Sequence, residues 1–280
     1  SREDTIQVAE TLVGTLAAAC AAPPTSAPAA PVAGEPPAAP AAPAAPAGDG
    51  RFQELPAFAE QVAAGALPPV EERLPENPYV AECTERPGQY GGTLRWANRI
   101  GASAAMMRML DYEHLTRWDK EWTKIIPNVA ESFEVNEDAT EYTFHLRKGM
   151  KWSDGSPLTA EDLRFRIEDV LLNKDLTPVV PSWLVVGDQP LAVEAPDDYT
   201  FIVRFAVANG LFLAVMSTTS GALFTIAPKA YIQQYMPEHN PDAQSLVEAH
   251  GSASWEEAVA DIMDGTAKYT FVDRPVLSPW

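Results

Sequence analysis

Two pairs of segments alternate apolar and polar residues, and a helical stripe lies between them. In Glu141–Leu146, Tyr142, Phe144 and Leu146 take one face, and Thr143, His145 and Arg147 take the other. Glu131–Val135 precedes this segment across a polar turn, Asn136–Thr140, so the pair reads as a hairpin. Leu191–Val193 and Tyr199–Phe205 form a second hairpin around Pro196-Asp197-Asp198, with Tyr199, Phe201, Val203 and Phe205 on one face. Between the hairpins, Leu163, Ile167, Val170 and Leu171 fall at i, i+4, i+7 and i+8, the spacing of one buried helix stripe. Thr159 with Asp162 three residues later predicts the start of that helix, and Asn173-Lys174 its end. Just upstream, Trp152-Ser153-Asp154-Gly155 reads as a tight turn. Asp154 should bond the turn backbone, and Gly155 should supply a positive φ.

Weaker patterns fill the remainder. A helix is expected over Phe52–Ala66, with Leu55, Phe58, Ala59 and Val62 on one face and Pro68-Pro69 as the stop. Tyr90–Ala97 reads as a first strand after a Gly-Gly pair, and Ser103–Leu110 as a short helix. Further helices are expected at Gly210–Ser217, at Pro228–Tyr235, and from Ser254, with Glu257 at its third position, to Met263. Hairpins interspersed with helices predict an α/β or α+β body with a mixed sheet, α/β being the class adopted.

Composition changes this picture mainly at the N-terminus. Residues 6–22 are apolar and close on Ala17-Ala18-Ala19-Cys20, like the end of a bacterial lipoprotein signal, in which Cys20 would carry the lipid. Ala17 stands where Leu is usual, Glu10 interrupts the run, and a plain secretory leader or leader remnant is the other reading. Residues 21–50 are an Ala/Pro tract that cannot form helix or sheet ladder, hence a disordered tether, and 51–90 are a transitional extension. The net charge of −19 argues against nucleic acid and acidic lipid as partners. Two cysteines, Cys20 and Cys83, lack metal-ligand spacing, and the tract between them disfavours a disulfide. His114, His145, His239 and His250 are scattered and no Gly-rich phosphate loop is present, so neither a metal nor a cofactor is expected.

Two groups of residues imitate catalytic sites. Ser153 has no His and Asp partners in a recognisable arrangement, and the turn accounts for it. Asp111, Glu113, Asp119 and Glu121 could imitate a glycosidase carboxylate pair, although acidic residues this common are more often a solvated face. No catalytic residue is expected.

The run Tyr142–Leu163 resembles the signature of the family 5 extracytoplasmic solute-binding proteins, which deliver peptides, nickel chelates and some oligosaccharides to ABC importers. Gly91-Gly92-Thr93-Leu94, Tyr112-Glu113-His114-Leu115, Pro127–Val135, Val193–Thr200 and Ala227-Pro228-Lys229-Ala230-Tyr231 follow the family pattern in order. His114 replaces a preferred Gly, and Ala139 a turn Gly. The resemblance implies a periplasmic-binding-protein-like class II fold, with 91–110 and 227–280 in the first lobe and 111–226 an extra domain packed on it. The second lobe would be largely missing, which makes the chain an N-terminal fragment. By the same resemblance, Arg99, Ile100, Gly101, Ala102 and Ser103, in the loop after the first strand, and Trp183 would line the ligand cleft. Trp183 could equally pack against its own domain, and Arg99 could be a solvated loop cation. The implied function is a non-catalytic, extracytoplasmic receptor, in the periplasm or lipid-anchored at the cytoplasmic membrane. It would capture peptides or oligosaccharides by two-lobe closure and present them to membrane permease subunits. A secreted glycoside or ester hydrolase using the acidic cluster, and a surface interaction protein without transport function, are the alternatives.

Overall fold

In the computed structural model, residues 52–85, 93, 113–263 and 273–277 are described, all within one unit spanning Ala47–Trp280. The lipoprotein-like segment, the tether, the expected helix at 103–110 and, apart from Thr93, the expected first strand lie outside them.

The N-terminal described segment carries α1 (Ala59–Ala63) and α2 (Val70–Arg73). The helix expected over Phe52–Ala66 is thus shorter. Pro56 disfavours helical φ/ψ at Leu55, and the chain enters α1 through a turn in which the Phe58 and Ala59 amides donate to the Leu55 carbonyl. Arg73 ties the segment together by pairing with Glu54 and donating to the Pro68 carbonyl.

Then come β1 (Thr116–Trp118), β2 (Ile125–Pro127), β3 (Ala130–Val135) and β4 (Glu141–Leu146). β1 pairs with β2, and β3 with β4 as the expected hairpin. The Asn136–Thr140 turn is closed by the Asn136 side-chain oxygen, which accepts from the Thr140 and Glu141 amides at 2.9 Å each. Ala139 adopts φ 51°, the left-handed conformation for which glycine is suited.

The capped helix is present, with a change of pitch. Helix α3 (Ala160–Phe165) continues as a π-helical stretch, Arg166–Leu171. Leu163, Ile167, Val170 and Leu171 are all buried, but only Leu163, Ile167 and Leu171 share one cluster; the change of pitch turns Val170 into another. Arg166 is buried too; it donates to the Leu223 carbonyl at 2.9 Å, and burial, with Arg274 nearby, pushes its pKa down to about 9.

A small hairpin, β5 (Val185–Val186) and β6 (Gln189–Pro190), turns at Gly187-Asp188, both with positive φ. It leads into β7 (Ala192–Asp197) and β8 (Thr200–Arg204). β7 runs further than expected: Pro196 sits within it, at an edge strand and beside a register shift, where a missing N–H is tolerated. The sheet order is β3-β4-β8-β7, and every pairing among the described strands is antiparallel. Phe144 opposes Phe201, and Tyr142 opposes Val203.

The C-terminal part is helical: α4 (Phe212–Met216), a 3-10 turn Thr219–Phe224, α5 (Lys229–Ile232), α6 (Ala243–His250) and α7 (Trp255–Met263). The Ser254 hydroxyl accepts from the Glu257 amide, and Glu257 reaches back to the Ala253 amide at 2.7 Å, the expected start of α7.

Two apolar clusters form among the described residues. In the first, the buried face of the sheet packs on α3, α4 and the 3-10 turn, with Tyr142, Phe144, Phe201, Phe205, Phe212 and Phe224 edge-on or tilted. The second joins Phe165 and Val170 to Ile232, Met236, Val259 and Ile262. Asp162 links the two. One carboxylate oxygen accepts from the Thr159 amide and the other from the Lys229 amide, each at 2.9 Å, so a single side chain serves the starts of α3 and α5. Burial pushes the Asp162 pKa up, and the hydrogen bonds from Thr159 and Lys229 only partly oppose that. Beside it, Glu161 binds Arg164 at 2.8 Å and Lys229 Nζ at 3.1 Å.

Ala139→Gly should raise stability by about 1 kcal/mol by relieving left-handed strain. Gly221→Ala should lower it by about 2 kcal/mol, because a Cβ there would lie 1.8 Å from the Met216 carbonyl oxygen. Urea denaturation midpoints separate the two signs. The Arg164 guanidinium, aided by Lys229, holds the Glu161 pKa down to about 2, against an ordinary value of 4.5. Its contribution is therefore present above about pH 4.5 and is lost as pH falls towards 2. At neutral pH, Glu161→Gln should cost about 0.5–1 kcal/mol, given the partly exposed side chains. The difference from the parent protein should shrink as unfolding is repeated at falling pH below 4.5.

Candidate functional site

Trp183 is the one expected ligand-lining residue within the described region. It sits in a 3-10 turn, Ser182–Leu184, which Pro181 opens by accepting from the Leu184 amide. Its carbonyl accepts from the Asn209 side chain at 3.2 Å. The indole lies nearly parallel to Phe212, with ring centroids 5.9 Å apart, and tilts against Phe224 at 6.1 Å. It is half-buried at the margin of the first apolar cluster. The packing role is thus visible, and the residue is not fully buried. Val179, four residues upstream, is 82% exposed. Arg99, Ile100, Gly101, Ala102 and Ser103 lie outside the described residues, as does Cys20, while Cys83 is an exposed thiol.

The Trp152 turn is structural. Asp154 accepts from the Ser156 amide and hydroxyl at 2.9 and 2.6 Å, and Gly155 has φ 86°, as its sequence required. Ser153 bonds the C-terminal segment on both sides: its amide donates to the Val276 carbonyl, and its hydroxyl oxygen accepts from the Val276 amide, both at 3.0 Å. This is a strand-like clamp, and it engages the hydroxyl that a nucleophile would need free.

The acidic cluster separates into different environments. Asp119 folds the β1–β2 loop. One carboxylate oxygen accepts from the Thr123 and Lys124 amides, the other from the Thr123 hydroxyl at 2.8 Å. Burial pushes its pKa up, but these hydrogen bonds outweigh that and leave it lowered. Glu113 is half-buried, and burial raises its pKa against the Asn128 amide that donates to it. Glu121 is exposed, and Asp111 lies outside the described residues. Among the described residues, no three of His, Cys, Asp and Glu converge as a metal site would. His114 is buried, and desolvation pushes its pKa down to about 4, so it is neutral at physiological pH.

Sequence reasoning did not single out the β1–β2 hairpin. The signal was Trp118-Asp119-Lys120-Glu121-Trp122, two indoles flanking a charged turn. Trp118 and Trp122 are nearly parallel, 6.1 Å apart, and with Tyr79 they line a recess of about 630 Å³.

Against known proteins, the model of bacterial extracellular solute-binding proteins, family 5 Middle, matches residues 124–273. A periplasmic alpha-galactoside-binding protein of Rhizobium meliloti is 31% identical over 159 residues, 50% of this chain and 23% of that protein. The periplasmic oligopeptide-binding protein OppA of Haemophilus influenzae is 38% identical over 94 residues, 29% of this chain and 17% of that protein. A solved structure of an oligopeptide-binding protein OppA matches with TM-score 0.70 at 36% identity, over 82% of this chain and 35% of that one. The chain therefore spans less than a quarter of the length of these two relatives.

Trp183→Ala should lower stability by about 2–4 kcal/mol, because the indole packs on Phe212 and Phe224. Trp183→Phe should cost less than about 1.5 kcal/mol. Equal, negligible losses in denaturant titrations would remove the packing role.

Proposed function

Because the chain belongs to the bacterial extracellular solute-binding proteins of family 5, we propose that the protein carrying it is the receptor of an ABC importer. It captures an oligopeptide or an oligosaccharide outside the cytoplasm and presents it to permease subunits in the membrane. In this reading 111–226 form the extra domain, 91–110 and 227–280 belong to the first lobe, and cargo closes a second lobe onto them. Closure is a population shift driven by cargo touching both lobes. Arg99, Ile100, Gly101, Ala102 and Ser103 supply the loop that approaches the cargo, and Trp183 offers its accessible edge. Cys20 anchors the receptor by a lipid.

The observation that carries the reading is the family match over residues 124–273, joined by the OppA-like fold over 82% of the chain. The two apolar clusters meet across the proposed boundary: the first takes Leu277 with residues 115–224, and the second takes Phe165 and Val170 with residues 232–262, which is the packing of an extra domain on its lobe. In this reading the chain is a receptor and not a catalyst, which the turn bonds of the Asp119 oxygens and the Val276 bond to the Ser153 hydroxyl support. The two named relatives bind different solutes, an alpha-galactoside and oligopeptides, so both cargo classes stay in the proposal.

A thermal-shift screen of the protein against oligopeptides and neutral oligosaccharides tests it. Cargo at about 100 times its Kd should add about 2.7 kcal/mol of stability. One class should stabilise and the other should not, which names the cargo. Stabilisation by neither class, or release of nitrophenol from glycosides or esters by the purified protein, would overturn the reading.

A further inference from the structure

We propose that the β1–β2 hairpin and the facing segment around Tyr79 form a binding site for neutral saccharides, to which Trp183 contributes nothing. The proposal does not rest on the importer reading. It begins from the backbone of Trp122, which has φ 57°, a conformation uncommon for any residue but glycine and exceptional for one this bulky. Such an outlier persists only where the surroundings over-determine it, and here they do. The Trp122 amide donates to the Asp119 carbonyl at 3.1 Å, the Asp119 amide donates to the Lys124 carbonyl at 2.9 Å, and the Asp119 carboxylate holds Thr123 and Lys124. The strain keeps the indole 67% exposed, whereas a glycine there would fold the turn at lower cost.

What the exposed indole offers is specific. Its near-parallel neighbour Trp118 steadies it, and Tyr79 adds a third ring, with the Arg117 guanidinium 5.6 Å from the Tyr79 centroid. All four residues line the recess of about 630 Å³, within the size range of small-molecule sites. The charged residues that line the recess cancel in number, Arg117, Lys120, Lys124 and Arg147 against Glu82, Asp119, Glu121 and Glu131, and Lys120 Nζ lies 3.8 Å from both Glu82 and Glu121. A rim so balanced has no net field to attract an ion, yet it presents donors and acceptors on rigid aromatic ground. A neutral sugar matches both features, stacking the C–H face of its ring on the indole and placing hydroxyls among the rim charges. The chain's −19 charge disfavours the other stacking ligands, polyanionic nucleic acids.

The test uses the whole chain labelled with 5-fluorotryptophan, the Trp122 fluorine signal being assigned through Trp122→Phe. Maltohexaose, cellohexaose and raffinose are the saccharide probes, and trialanine is the peptide probe. We expect a saturable shift of the Trp122 signal with at least one saccharide and none with trialanine. Trp122→Gly, which relieves the backbone, should keep or raise the melting midpoint and weaken saccharide binding, followed at Trp118, by about tenfold or more. A Trp122 signal that no saccharide moves, one that answers to the peptide alone, or undiminished saccharide binding by Trp122→Gly would overturn the proposal. The cargo screen repeated on Trp122→Gly reads cargo binding without this site, so the two readings fail separately.

Discussion

The fold depends on one buried carboxylate. Helix α5 begins at Pro228-Lys229 with no side-chain cap of its own, and Asp162, sixty-seven residues earlier, accepts from its first amide. The other oxygen of the same group holds the start of α3. An acceptor out of water is costly unless satisfied, and satisfying it requires both helix starts to be in place together. The surrounding contacts reinforce the junction: the Ala160 amide donates to the Asp198 carbonyl at the β7–β8 turn, and Glu161 pairs with Lys229. Sheet, central helix and C-terminal helices therefore meet at three consecutive residues.

Much of this was legible in the sequence because it is locally encoded. Alternation in Tyr142–Leu146 and Tyr199–Phe205 defined the strands, and Thr159 with Asp162 defined the helix start. What escaped has physical reasons. The pairing of Asp162 with Lys229 joins distant residues, and no periodicity reveals it. The π-helical pitch after Phe165 turns Val170 away from Leu163, Ile167 and Leu171 and into the second cluster, whereas the α-helical spacing places all four on one face. The late start of α1 was available in Pro56, and the β5–β6 hairpin in Gly187-Asp188; both are short punctuation within weakly periodic segments.

The site was less legible. A Trp can face a ligand or its own core with the same neighbours in sequence, and Trp183 shows why: its stacking partners Phe212 and Phe224 belong to a different stretch of chain. The acidic cluster suggested a paired function from composition, but hydrogen-bond geometry decides, and it commits Asp119 to a loop. That commitment gives the loop its shape and keeps Trp122 in solvent. Ser153, suggestive as a nucleophile, uses its hydroxyl to hold Val276 instead.

The change of pitch at Arg166 lets one helix serve both clusters. Leu163, Ile167 and Leu171 point into the first cluster, while Phe165 and Val170 point into the second. A single rod thus lends opposite flanks to two separate oily interiors. Neither interior can loosen without withdrawing wall from the other, so the amides along this rod report on both at once. Slow exchange with solvent deuterium should reach its maximum here, and the two interiors should open as one cooperative block.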